Sequence, residues 1–104
     1  MARSTICLYN QGVAFVWDPD KAKVNFRKHG VRFSTEALAI FGDDFALTVS
    51  DDESDPAERR FITLGMGALG RVLVAVYCYR GDDIRIISAR PAEPHERKDY
   101  ETQR

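Results

Sequence analysis

Histidine and cysteine are both scarce in this chain, with two of each in 104 residues. His29, His95, Cys7 and Cys78 offer no metal-ligand spacing, which excludes a metal site built on those residue types. Two cysteines so far apart declare no disulfide framework. Cys78, inside an apolar strand pattern, reads as a buried free thiol of a reducing cytoplasm. No apolar run is long enough to span a membrane, since the longest, residues 72–79, is a strand's length. The opening MARSTICLYN has no long apolar stretch, so no secretory signal is read there. The acidic DDESD of residues 51–55 lacks the glycine and terminal glutamate of a calcium loop. The glycine-rich GMGALG at 65–70 lacks the lysine and Ser/Thr of a phosphate-binding loop. There is no G-x-S-x-G, and neither cysteine has a partner base nearby in sequence.

What is present is one domain's worth of chain, 1–104, whose hydrophobic 44% and charged 30% are those of a globular protein rather than a disordered one. The net charge of −1 hides a blockwise asymmetry. Residues 17–33 hold five Lys/Arg against two Asp, residues 34–58 hold eight acids and no Lys/Arg, and residues 59–104 hold nine Lys/Arg against six acids. Local basic blocks serve an anionic partner even when the total is neutral. The acidic middle suits a loop held away from that partner, or one docking onto something basic.

The most informative stretch is WDPDKAKVNFRKHGVRF, residues 17–33. Asp18 followed by Pro19 predicts a helix N-cap with proline at the first helical position, and Gly30 supplies the left-handed stop after Lys28 and His29. At helical spacing Lys21, Asn25, Lys28 and His29 share one stripe, with Ala22 and Phe26 beside it to face a core. Around this helix the pattern predicts a hairpin of strands 5–9 and 13–17 turning at Asn10-Gln11-Gly12. A second helix over 35–41 and a strand over 45–49 follow. An antiparallel meander of strands 60–64, 71–80 and 84–90 and a short helix over 96–101 complete the chain. In the middle strand Val72, Val74, Val76 and Cys78 alternate with Leu73, Ala75, Tyr77 and Tyr79; both faces are apolar, as in a central strand. The expected fold class is α+β, a small antiparallel β-sheet with two N-terminal helices and a C-terminal helix.

The chemistry available is cationic, with a few proton-transfer groups: Lys21, Lys28, His29, Arg60, Arg71, Arg80, Arg85, Arg90 and Arg97, joined by Glu96, Tyr77, Tyr79 and Tyr100. Metal-free RNA cleavage needs such a set, because the neighbouring 2′-hydroxyl is the nucleophile and the protein supplies base, acid and positive charge. Arginine suits the phosphate, since its planar fork stays protonated. Each residue taken alone is a solvated cation, Trp17 reads as a core anchor, and Tyr100 can equally pack the last helix. A competing pairing for Arg85 and Arg90 is with the acids of 43–58.

These motifs resemble the BrnT ribonuclease toxins. The signature F-x-W-D-x-x-K-A-x-x-N-x-x-K-H-G-V-x-F spans Phe15 to Phe33 and continues into Glu36-Ala37. Further blocks are Arg60 to Gly65, Gly70-Arg71 with Tyr77, and Ile84 to Arg90 with Glu96-Arg97 and Tyr100. The resemblance covers a toxin-like core of residues 15–101 and leaves 1–14 as an N-terminal extension. Cys78 and Tyr79 depart from it, standing where a threonine and a charged residue are expected. It implies a RelE-like fold and a cytoplasmic endoribonuclease that uses no metal or other cofactor. The implied partners are an RNA substrate and a cognate BrnA-like antitoxin, with operator DNA met only through the antitoxin complex and no membrane. On that basis the expected catalytic group is His29, Lys28, Arg85, Arg90 and Glu96. His29 or Glu96 would move protons, and Lys28, Arg85 and Arg90 would hold phosphate. Lys21, Asn25, Arg60, Arg97 and Tyr100 are the expected substrate-binding residues. The alternative is a non-catalytic basic module that docks an acidic protein or nucleic acid.

Overall fold

A computed structural model describes residues 6–10, 12–51 and 56–102. Thr5 and Gln11 of the expected hairpin, and residues 52–55 of the acidic segment, lie outside the described residues. Six strands form one sheet: β1 (Ile6–Asn10), β2 (Val13–Trp17), β3 (Leu47–Asp51), β4 (Arg60–Met66), β5 (Val72–Arg80) and β6 (Asp83–Pro91). Their order is β1-β2-β6-β5-β4-β3. The meander β4 to β6 is antiparallel as expected and β3 joins it antiparallel, but the sheet is mixed. β5 takes one edge of β6, and β2 takes the other in parallel, pairing Phe15 with Ile84 and Val16 with Arg85.

The first helix, α1 (Pro19–His29), is bounded as its sequence predicts. The Asp18 carboxylate accepts the Asp20 amide at 2.9 Å, and Gly30 at φ 69° donates its amide to the Phe26 carbonyl at 2.8 Å. The expected second helix is instead a 3-10 segment, Ala37–Gly42. Glu36, at its start, makes no capping bond. Its carboxylate, 2% exposed, is held by two hydrogen bonds from the Arg71 guanidinium, which also donates to the Gly30 carbonyl at 2.8 Å. Gly67 sits where the 65–70 hairpin turn crosses this pair. A Cβ there would lie 2.7 Å from Leu73 Cδ1 and 3.2 Å from Glu36 Cγ, so any larger residue would have to push the Leu73 side chain aside. The last helix, α2 (Pro94–Glu101), starts earlier than the expected 96–101, through a capping box between Glu93 and Glu96.

The alternation of β5 separates two cores. On one face Phe15, Trp17, Leu73, Ala75, Tyr77, Ile84, Ile86 and Ala89 pack under Val31, Phe33, Ala37 and Ile40. On the other, Val72 and Val74 meet Ala92 and Tyr100 of the α2 end. Trp17 is a core anchor, 3% exposed and edge-on to Phe33 at 6.0 Å. Ala22 packs against that core, but Phe26 does not enter it; Trp17 and Phe33 already fill the space, and the Phe26 ring stays at the surface under Arg32. No helix among the described residues is long and apolar enough to cross a membrane.

Candidate active site

The last strand carries the feature that assembles the cations. Arg85 and Arg90 are five positions apart, an odd spacing that would send them to opposite faces of a regular strand. The register against β5 shifts between Val76, opposite Ser88, and Tyr77, opposite Ile86, which leaves Ile87 as an unpaired bulge residue. Arg85, Ser88 and Arg90 therefore share one face, aligned with Cys78, Val76 and Val74. Ile84, Ile86 and Ala89 share the other and stay in the core. The Arg85 side chain forms no ion pair or hydrogen bond among the described residues.

A groove of about 440 Å³ runs between α1 and β6, lined by Asp20, Lys21, Val24, Asn25, Lys28, His29, Ile87 and Ser88. It gathers four of the sequence-predicted residues, Lys21, Asn25, Lys28 and His29. Ser88 belongs both to this groove and to the Arg85–Arg90 face, so it borders both. Sequence reading missed Ser88 and Ile87; their only signal was the broken alternation of residues 84–90.

Not every expected residue is free for substrate. Asn25, 5% exposed, is a structural clamp. Its Nδ2 donates to the carbonyls of Ala89 at 2.8 Å and Val31 at 3.1 Å, and its Oδ1 accepts the Ala89 amide at 3.0 Å. Those bonds consume the amide, so Asn25 orients the groove without binding substrate. Tyr100, 2% exposed, donates its hydroxyl to Asp43 Oδ2 at 2.6 Å and packs the last helix down. The same Asp43 oxygen accepts the Met66 amide at 2.8 Å, so this member of the acidic middle is a fastening. Arg97 donates to the Ala92 carbonyl at 3.0 Å. Arg60 lies on the same face as Arg85 but two strands from it, between Cys78 and Asp51 in the register, and outside the groove.

Glu96 is also corrected. It accepts both ends of the Arg90 fork, at 2.8 and 2.9 Å, together with the Glu93 amide at 2.8 Å. Chiefly through the Arg90 hydrogen bonds, its pKa is lowered to about 2. A carboxylate so held is a poor proton acceptor and carries no proton to give near neutrality. Arg90 pairs with Glu96, not with the acids of 43–58; from that segment Glu58 instead meets Arg80 at 3.9 Å and accepts the Cys78 thiol at 3.4 Å. Burial first, then the Glu58 contact, pushes the Cys78 pKa up and keeps it a protonated free thiol. Glu93, His95 and Glu96 bring one possible metal-ligand atom each within 4.8 Å of one another, but Glu96 is already committed to Arg90.

The arrangement thus offers several cations, of which Glu96 braces Arg90, and one imidazole beside an open groove, chemistry suited to a phosphodiester. A family model described as "Ribonuclease toxin, BrnT, of type II toxin-antitoxin system" matches residues 17–96. Among curated protein sequences none matches. Among solved structures, the crystal structure of the Brucella abortus ribonuclease toxin, BrnT, superposes with a TM-score of 0.60 at 22% sequence identity, covering 74% of this chain and 92% of that one. That likeness shows the fold.

Proposed function

Since the chain belongs to the BrnT family of ribonuclease toxins of type II toxin–antitoxin systems, we propose that it cuts RNA at the seam between the α1 groove and the Arg85–Arg90 face, by a route that uses no metal. The 2′-hydroxyl attacks the adjacent phosphorus while His29 takes its proton. The bond to the 5′-oxygen breaks, the imidazolium returns the proton to that oxygen, and a 2′,3′-cyclic phosphate and a 5′-hydroxyl result. Lys28 and Arg85 hold the non-bridging oxygens as charge builds on them, and Lys21 meets a flanking phosphate. Arg90, braced by Glu96, presents the edge of its fork that the ion pair leaves open. Arg60 and Arg97 contact more distant phosphates. Operator DNA is reached only through the antitoxin.

The observation that carries this reading is the bulge at Ile87, which sets Arg85 and Arg90 on one face together with Ser88, itself a residue of the Lys28–His29 groove. The test is cleavage of a defined RNA in EDTA with mapping of the new ends. Cyclic-phosphate or 3′-phosphate ends that disappear in Arg85→Ala support it. Chelator-sensitive cutting, or salt-sensitive RNA binding with no turnover, would replace it with a metal-dependent nuclease or a binding module.

A further inference from the structure

The two flanks of α1 are different surfaces. Asp20, Lys21, Val24, Asn25, Lys28 and His29 border the groove already described. Pro19, Ala22, Lys23, Phe26 and Arg27, again at helical spacing, border a second groove of about 580 Å³ on the other flank. Trp17 and Phe33 close its floor, and Arg32 and Ser34 complete it. Its lining is mainly apolar, it carries three cations, Lys23, Arg27 and Arg32, and it contains no acidic residue. Phe26 is 38% exposed, an uncommon condition for a helical phenylalanine beside a filled core.

We infer that this groove is the docking site for the antitoxin, which lays an acidic amphipathic helix along α1 with an apolar side chain seated against Phe26 and Ala22. The inference rests on the family reading, because a toxin of this class has a cognate antitoxin. Charge complementarity sets the occupant's sign: three cations with no acid among them favour a segment rich in Asp and Glu. The apolar lining sets its class. The Arg32 guanidinium lies 4.0 Å from the Phe26 ring centroid, over one face of the ring, while Trp17 and Phe33 are buried and offer no face to a base. A single strand of RNA, which binds through stacking platforms and backbone charge, finds only the charge here. A helix in a groove finds apolar anchor points at i, i+3 or i+4 and i+7. The eleven residues of α1 give a track about 16 Å long, enough for some three turns of partner helix. Antitoxin and RNA then hold opposite flanks of one helix.

The test compares the wild-type chain with two double variants, Arg27→Glu with Arg32→Glu and the milder Arg27→Gln with Arg32→Gln. For each, the dissociation constant for the purified antitoxin encoded beside this chain's gene is measured, together with the RNA-cleavage rate of the free chain. The expected result is antitoxin affinity weakened at least tenfold by the glutamates and less by the glutamines, with cleavage within twofold of wild type. Antitoxin affinity within twofold of wild type in both variants overturns the inference. So does a tenfold fall in cleavage with antitoxin affinity retained, which marks an RNA track. A wild-type dimer that the glutamates abolish without changing antitoxin affinity also overturns it, and marks a surface for a second copy. If the wild type binds antitoxin through these arginines yet cuts no RNA, the proposed ribonuclease chemistry fails and the docking site stands.

Discussion

Asn25 on α1 and Ala89 on β6 are joined through both polar groups of the Ala89 backbone, its amide reaching Asn25 Oδ1 and its carbonyl accepting from Nδ2. A side chain stands there in place of a neighbouring strand, because the parallel β2 pairing covers only the start of β6. Asn25→Ala leaves a buried donor and two buried carbonyls unpaired, so unfolding free energy should fall by about 2–4 kcal/mol in urea titration. Asn25→Asp should fare no better, since a carboxylate has no hydrogen to give to Ala89 or Val31. Wild-type stability in either variant would show that the clamp is dispensable.

The Glu36–Arg71 pair makes a second stability prediction. Arg71→Met strands a carboxylate that is 2% exposed and should cost about 3 kcal/mol. Adding Glu36→Leu removes the orphaned charge, so the double variant should recover much of the loss. Equal stability of Arg71→Met and the double variant in a double-mutant cycle would refute a buried-charge penalty.

Acid should weaken the fold through Glu96. Its folded pKa of about 2 lies below its ordinary 4.5, so the contribution is fully present above pH 4.5 and is lost as pH falls from there toward 2. Arg90 is 38% exposed, and solvent screening holds the gain to about 1 kcal/mol. Glu96→Gln should therefore be less stable than wild type at pH 7 and nearly equal to it at pH 2. A constant difference across that range, read from thermal melts, would remove the ion pair as the cause.

Activity should separate from stability at the seam. Arg85 has no internal partner among the described residues, so Arg85→Ala should keep its melting point while losing about 100-fold in cleavage. Lys28→Ala should behave alike but more mildly. His29→Gln should lose most of its turnover with little change in RNA affinity. A fall in affinity with intact turnover would reassign His29 to binding.

The parts of this molecule that were legible in its sequence are the parts decided locally. Asp18-Pro19 and Gly30 bound α1 because caps are read within a few residues, and the two faces of β5 follow from a period of two. The parallel seat of β2 was illegible because it depends on which edge of β6 stays open. Asn25 was misread for a related reason: an amide in a polar stripe looks the same whether it meets a ligand or the free edge of a strand. Glu96 and Arg90 are six apart across Pro91 and Pro94, a separation that becomes a pair only when strand exit and helix start fold back on each other. Arg85 and Arg90 stand on one face, yet a strict alternation would have parted them. The residue that reunites them, Ile87, carries no chemistry of its own.

The long reach of the β2–β6 pairing has a consequence for the order in which the molecule becomes competent. β4, β5 and β6 are neighbours in sequence and in the sheet, so their contacts close early, whereas Phe15 must find Ile84 from the far end of the chain. During synthesis α1 is made long before Ile87 and Ser88, and the groove has only one wall until β6 has been made. Pulse-labelled hydrogen exchange should find the Ala89 amide protected no earlier than the β4–β5 amides. The nascent chain thus carries the α1 cations and the β6 cations on unjoined elements until Ile87 and Ser88 have been made and β6 has met α1.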